Sequence, residues 1–486
     1  MAKINHKRTK IVATIGPSSW NEDTLRRIIR AGVDVARINF SHGDHETHSR
    51  SIDLVRRIAA EEGHVIAIMC DIQGPKIRIG KVAHEPITLQ KGDRVVLTLD
   101  DVPGDNNTFQ LPHPEFLRDI KSGTHLLLDD GKVEFLVKET TPRSLICENL
   151  FEGMLSSRKG VTAPKATLTL SAITDKDRED IKFALSKKTD YIAMSFVRST
   201  EDIREMRWLI RHLSGDHVAI IAKIEKHEAL VNIEGIVDAA DGIMVARGDL
   251  GIETPAEEVP FHQKRIIQLC NMAGKPVITA TQMLNSMVES PRPTRAEASD
   301  VYNAIVDGTD AVMLSNETAS GDFPIEAVET MARIAVIAEQ HIWENRPQQV
   351  AMQREKAQGQ EAVADAISQA TSDISRLLEP SAIITSTLTG YTARRVARER
   401  PKKTILCVTP NEITYRRMAL VWGVVPILIE QFNTIDDMID IVVKAAHHQQ
   451  LVQRGDVIII IAGVPFGVGG QTNFLKIHIV GESGEL

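Results

Sequence analysis

Four side chains in this sequence have the types and spacing to handle a multiply charged anion: Arg37, Lys223, Glu225 and Asp249. Glu225 and Asp249 each follow a short apolar run and make a candidate site for a hard divalent cation, which takes one or two protein carboxylates and keeps its other positions for substrate oxygens and water. Lys223 and Arg37 supply positive charge suited to a phosphate or an enolate, and the stretch Gly248-Asp249-Leu250-Gly251 offers free backbone amides to an anion. Other polar residues end apolar runs in the same way: Asn39 and Ser41, Asp71, Ser195 and Arg198, Arg247, Thr281 and Gln282, Ser315 and Glu317. Arg37/Asn39/Ser41 and Lys223/Glu225 are spaced by two, so along a strand each set faces one side. Charges on an inward face are costly to bury unless paired or bound to a ligand. The alternative is a set of ion pairs that simply closes the end of the fold.

The elements that must carry these residues are short continuous apolar runs, the mark of strands buried on both faces. Eight precede residue 320, starting at Ile11, Asp34, Val65, Tyr191, Val218, Gly242, Pro276 and Asp310, with helical patterns such as Glu22 to Ala31 between them. Eight strand–helix units predict an α/β fold built on a (β/α)8 barrel, whose catalytic groups sit at the C-terminal strand ends; an open doubly wound sheet is the alternative. The long gap between the third and fourth runs reads differently. ITLQKGDRVVLTL and LLLDDGKVEFLV alternate and turn as hairpins, predicting a small antiparallel β-barrel domain inserted after the third strand. Beyond a polar stretch at 346–360, strand–helix alternation resumes and predicts a C-terminal α/β domain with a mostly parallel sheet. The expected organisation is a barrel over 1–75 and 171–345, an insert over 76–170, and a C-terminal domain over 346–486.

Composition narrows the partners. The 486 residues carry 57 Lys and Arg against 65 Asp and Glu, a net charge of −8, and aromatics are only 4%. Nucleic acid and anionic membrane surfaces are therefore not expected partners. Cys70, Cys147, Cys270 and Cys407 form no CxxC pair, the usage of a reducing compartment. With no signal peptide or membrane span legible, a cytoplasmic location is expected. His42, His45 and His48 mimic metal spacing, but i, i+3, i+6 drifts around a helix and no metal is expected there.

The stretches TKIVATIGPSS, ARINFSHG, DIQGPKIRIG, IIAKIEKHEAL, VARGDLG, ITATQML, PRPTRAEASDV and DAVMLSNETASGDFP resemble the pyruvate kinase family, in order and over essentially the whole chain. That resemblance implies phosphoryl transfer from phosphoenolpyruvate to ADP, giving pyruvate and ATP with Mg²⁺ or Mn²⁺. It implies Glu225 and Asp249 as metal ligands, Lys223 and Arg37 on the transferring phosphoryl group, Gly248 and Asp249 on the substrate carboxylate, and Thr281 beside the carbon that becomes the methyl group. Ser315 and Glu317 become candidates for a water-mediated proton relay. Thr14, Pro17, Asn39, His42, Arg78 and Lys159 match the nucleotide side. The positions that hold K⁺ in many relatives correspond to Asn39, Ser41, Asp71 and Ile72; Lys76 replaces their glutamate, and relatives with this lysine resemble the K⁺-independent subclass. Thr387, Thr389, Gly390 and Thr392 match an effector-phosphate cradle. The late loop Val464 to Asn473 has no Arg or Lys, which favours a sugar monophosphate or AMP over a bisphosphate. A homotetramer is implied too. Asn316 departs from the Gly or Ala usual in relatives. The rival reading is another metal-dependent barrel acting on pyruvate-like substrates; a metabolite-sensing protein with a dead site is a third.

Overall fold

The computed structural model describes residues 7–164, 166–215, 217–345, 358–466 and 470–482. The eight apolar runs form eight parallel strands: β1 (Lys10–Thr14), β2 (Val35–Asn39), β3 (Ala67–Asp71), β4 (Tyr191–Met194), β5 (Ala219–Ile224), β6 (Gly242–Ala246), β7 (Val277–Ala280) and β8 (Ala311–Leu314). They pair in sequence order and β8 closes onto β1, so the sheet is a barrel and not the open alternative. Several of the intervening helices begin on side-chain caps: Asn21 receives the Thr24 N–H, and Thr174 and Thr294 form capping boxes with Asp177 and Glu297.

One cluster of buried side chains fills the barrel and draws on all eight strands, among them Val12, Val35, Met69, Ala193, Ile221 and Met244. Because strand side chains alternate, this parity decides what stands above them. Arg37 follows Val35 by two, Asp71 follows Met69, Ser195 follows Ala193, and Lys223 follows Ile221. The chemically useful residues are thus the top layer of the interior. Ala419 and Leu420, from the C-terminal domain, complete the same cluster at the bottom.

The barrel base carries a repeat that spacing arguments passed over. Asp34, Asp190, Asp241 and Asp310 each stand immediately before an even-numbered strand. Each carboxylate accepts the backbone N–H of the strand before, from Ile11, Ile68, Ile220 and Val277, at 2.8–2.9 Å. Each Asp N–H donates back to the carbonyl of that same residue. Cations complete the four: Lys7 and Lys10 on Asp34, Arg416 on Asp190, Arg207 on Asp241, Arg400 on Asp310. Arg416 and Arg400 belong to the C-terminal domain, which is therefore seated on the base through two buried acids.

The insert has its own core around Phe109, Phe116 and Phe135. Its strands form a six-stranded sheet and a two-stranded ribbon, and among the described residues they do not close into one barrel. Pairing is antiparallel except between Arg94–Thr98 and Thr108–Gln110, which run parallel because the chain crosses over between them. The C-terminal sheet comprises β9 (Ala382–Ser386), β10 (Ile405–Thr409), β11 (Val424–Leu428), β12 (Val457–Ala462) and β13 (Phe474–Ile479). Its order is β11-β10-β9-β12-β13, with only the last pair antiparallel. The polar stretch expected to mark the domain boundary lies largely outside the described residues. Among those described, no helix is long and apolar enough to cross a membrane. All four cysteines are buried and unpaired.

Candidate active site

At the top of the barrel Asp71 is the hub of a buried charge chain. Arg37 Nε donates to its Oδ2 at 2.7 Å, and Lys223 Nζ lies 3.1 Å from its Oδ1. Lys223 also reaches Glu225 Oε1 at 2.8 Å and donates to Ser195 Oγ at 2.7 Å. Arg37 Nη1 donates to Thr14 Oγ1 at 2.9 Å. Burial raises the Asp71 carboxyl, but Lys223 and Arg37 outweigh it and hold its pKa below the ordinary range. Burial lowers the Lys223 ammonium, and the two carboxylates overcome that, so it stays charged well above neutrality. Glu225 takes the Phe196 N–H on its other oxygen at 2.8 Å, with Phe196 in left-handed backbone (φ 55°) to present that N–H.

Asp249 differs. It opens the short helix Arg247–Glu253 after β6, and among the described residues its carboxylate has no hydrogen-bond or ion-pair partner. Burial and the negative charge of Glu225 push its pKa up to about 6, with Lys223 and Lys76 opposing. Two carboxylates repelling across a site rimmed by cations fit a divalent ion: they supply two hard oxygen donors, the number magnesium takes from protein. Asp249 lines a cleft of about 640 Å³ with Lys76, Asp130, Arg247, Gly248 and Thr281. The Gly248 N–H is not free, since it donates to Thr281 Oγ1 at 2.8 Å; a ligand carboxylate must displace that hydroxyl to use it. Glu317 is 2% exposed and accepts from the Ser315 and Leu284 N–H groups, while Asn316 beside it is exposed and nothing in the structure explains it.

The remaining predicted residues are dispersed. Asn39 Oδ1 accepts the Ser41 N–H at 3.1 Å, and Ile72 is buried. Lys76 is exposed on the insert side of the cleft, where its charge acts on Asp249. Arg78 donates to the Arg158 carbonyl, and Lys159 pairs with Asp129 at 2.8 Å, so both are engaged within the insert. Pro17 is exposed at the start of a 3-10 turn. His42 is exposed, His45 pairs with Asp180 and stacks on Phe183, and His48 packs on Phe40. Asp71 as hub and Ser195 as a lysine anchor were not assigned from spacing, although the parity of Met69/Asp71 and Ala193/Ser195 carries that signal.

In the C-terminal domain Thr387, Thr389 and Thr392 line a cavity of about 230 Å³ with Phe432, Phe466 and Gln471. Gly390 caps the helix Tyr391–Arg398 in left-handed backbone, and its N–H donates to Thr387 Oγ1. No Lys or Arg is among the described residues lining this cavity.

Family comparisons agree with this geometry. Residues 6–328 match the model described as pyruvate kinase, barrel domain, and residues 365–478 match pyruvate kinase, alpha/beta domain. Similar proteins include the pyruvate kinase of Geobacillus stearothermophilus, 47% identical over 98% of this chain and 81% of that protein. Pyruvate kinase 2 of a Synechocystis strain is 46% identical over 98% and 79%, and the Clostridium acetobutylicum pyruvate kinase 42% over 98% and 100%. A barrel whose top layer is a cation–carboxylate chain, matched by family models over both the barrel and the C-terminal sheet, places this chain in the pyruvate kinase family, and it is a phosphotransferase.

Proposed function

We propose that this chain transfers the phosphoryl group of phosphoenolpyruvate to ADP, giving pyruvate and ATP. The observation that carries the reading is the Arg37–Asp71–Lys223–Glu225 chain beside Asp249, which has no partner among the described residues. In the reaction the phosphorus–oxygen bond to the enol breaks and one to the β-phosphate of ADP forms; the enolate then takes a proton at carbon to become the methyl group. Such transfer needs positioning and charge neutralisation more than covalent chemistry from the protein. Glu225 and Asp249 would hold Mg²⁺ or Mn²⁺, which when bound supplies Lewis-acid charge to the phosphoryl and enolate oxygens. Lys223, fixed by three partners, presents its charge to the transferring group without reorganising. Arg37, held on Asp71 and Thr14, adds a second positive charge for the phosphate.

Thr281 stands at the carbon end, with Ser315 and Glu317 relaying the proton through water. Thr14, Pro17, Asn39, His42 and Arg78 receive the nucleotide. Lys159 joins them when the insert closes; its exchange of Asp129 for a phosphate costs little, because partly exposed ion pairs are worth ~0–1 kcal/mol. The test is formation of pyruvate from phosphoenolpyruvate and ADP with Mg²⁺; no turnover would overturn the reading.

The same reading includes activity without K⁺, supported by Lys76 placing fixed positive charge in the cleft beside Asp249. Full rate with tetramethylammonium as the only monovalent cation is expected, and a strict K⁺ requirement refutes it. Regulation by a sugar monophosphate or AMP at Thr387, Thr389, Gly390 and Thr392 is supported by the absence of a cation among the described lining residues. Velocity titrations at low phosphoenolpyruvate decide it, and activation by a bisphosphate alone refutes it. A homotetramer is proposed from family membership, with light scattering as the check.

A further inference from the structure

Thr281 and Gln282 are consecutive non-glycine residues in left-handed backbone, with φ of 68° and 55°. Such residues are strained, and a β-branched threonine is a true outlier there. Conformations of this kind persist only where neighbouring groups over-determine them. Here the neighbour is the Arg247 guanidinium. Its Nε donates to the Ala280 carbonyl at 3.3 Å and its Nη2 to the Thr281 carbonyl at 2.9 Å. Nη2 also meets Met283 Sδ at 2.7 Å. From behind, Nη1 is held by Asp300 Oδ1 at 2.7 Å and reaches Gln263 Oε1 at 3.5 Å.

The contacts close a ring. The residue after Arg247 donates its N–H to Thr281 Oγ1, and that hydroxyl donates to the Ala280 carbonyl at 2.7 Å. One planar fork therefore spans both peptides around Thr281, while the hydroxyl is aimed from the same turn that carries Asp249. Asp300 neutralises the guanidinium, so its contribution is geometry and not charge toward a ligand. A lysine ammonium is a point donor without the fork and cannot span the two carbonyls and Asp300 in one plane.

We infer that Arg247 is the positioning residue for Thr281: it keeps the strained 280–282 turn in register so that the threonine hydroxyl stands at the carbon that exchanges a proton. This rests on the reaction proposed above and adds to it the group that sets its carbon end. Arg247 acts through another residue, so its loss should affect proton transfer at carbon without weakening the nucleotide.

The experiment compares wild type, Arg247→Lys, Thr281→Ala and the double variant in two assays. One is steady-state turnover of phosphoenolpyruvate with ADP. The other is exchange of the pyruvate methyl protons with deuterated solvent in the presence of ATP and Mg²⁺, followed by NMR. Arg247→Lys should lower kcat and the exchange rate about 100-fold, the loss typical of a reacting group misplaced by an ångström, with KM for ADP unchanged. The double variant should be no worse than Thr281→Ala, since residues acting as a unit are non-additive. Adding Gln282→Gly to Arg247→Lys should recover part of the loss, because glycine adopts left-handed backbone without strain.

Wild-type exchange in Arg247→Lys, or losses that multiply in the double variant, would overturn the inference. A lower melting temperature with kcat per folded molecule intact would do the same, by showing a purely structural role. If Arg247→Lys does not fold, Asp300→Asn keeps the arginine, loosens its rear anchor and carries the same test. A wild-type chain that forms no pyruvate overturns the reaction itself, a different failure from wild-type exchange in the variant.

Discussion

Both ends of the barrel bury acids, Asp190 and Asp310 at the base and Asp71 and Glu225 at the top, and they serve opposite purposes. At the base, Asp34, Asp190, Asp241 and Asp310 are each saturated: a backbone N–H from the preceding strand and a Lys or Arg share the carboxylate. At the top, Asp71 and Glu225 are partnered as well, by Arg37, Lys223 and the Phe196 N–H, and of the three acids there Asp249 alone has no partner among the described residues. Burial of charge is therefore not what separates a site from a scaffold. The separating feature is incomplete satisfaction, because an acid left short of partners keeps its capacity for a cation, whereas a saturated one has already bound its counter-ion.

The sharpest way to break this comparison is to remove a cation from the top. Lys223→Met should lower kcat by about 1000-fold or more, since the charge proposed to face the transition state disappears. Divalent-ion binding, followed by calorimetry, should survive. A variant retaining a tenth of the wild-type rate would show that the top layer is scaffold after all.

At the base the expected loss is of stability. Asp310→Ala removes a carboxylate from Arg400 and unties the start of β7, and breaking a buried pair costs about 3–5 kcal/mol. Denaturant melts should show that loss with kcat per folded molecule intact; a fall in kcat without destabilisation would contradict the assignment.

Asp249→Asn tests the unpartnered acid through pH. A carboxyl raised from its ordinary 3.8 to about 6 binds protons in the folded chain that the unfolded chain has released. Its contribution to stability is thus favourable below the unfolded value and is lost as pH rises toward and through 6, up to about 3 kcal/mol. Without divalent ion, Asp249→Asn should be more stable than wild type at pH 7 and lose that advantage at pH 4. Its metal affinity should be abolished, while wild-type affinity should fall about tenfold per unit below pH 6. Equal melting temperatures for the two proteins across this range would show that Asp249 is not destabilised.

The smallest effect belongs to Asp241, whose side chain is 40% exposed beside Arg207. Asp241→Ala should cost about 1 kcal/mol, chiefly the strand hydrogen bond, with water replacing the ion pair. The contrast with Asp310 sharpens the view that depth, not the repeat itself, decides what each base acid contributes.

Much of this was legible in the chain. The eight strands start within two residues of the apolar runs, because strands buried on both faces must be continuous in apolar side chains. Arg37, Lys223, Glu225 and Asp249 stood out because charge at the end of such a run has few reasons to exist. The base acids were equally visible, each one residue before an even strand. An isolated Asp before a strand, however, looks like any turn residue until the neighbouring strand supplies its N–H.

By itself, then, the sequence determined the order and nature of the elements, the insertion after the third strand, and the parity that turns Arg37, Asp71, Ser195 and Lys223 inward. These are local properties of spacing and composition. Only the tertiary structure decided which neighbours complete each charge. Asp71 became the hub because β2 and β3 pair so that Arg37 lies beside Met69 and Asn39 beside Asp71. Arg247 met Thr281 because β6 and β7 are adjacent. Lys159 stayed with Asp129 inside the insert. Pair energies depend on distance and burial across the fold, and neither is written in the spacing of one strand.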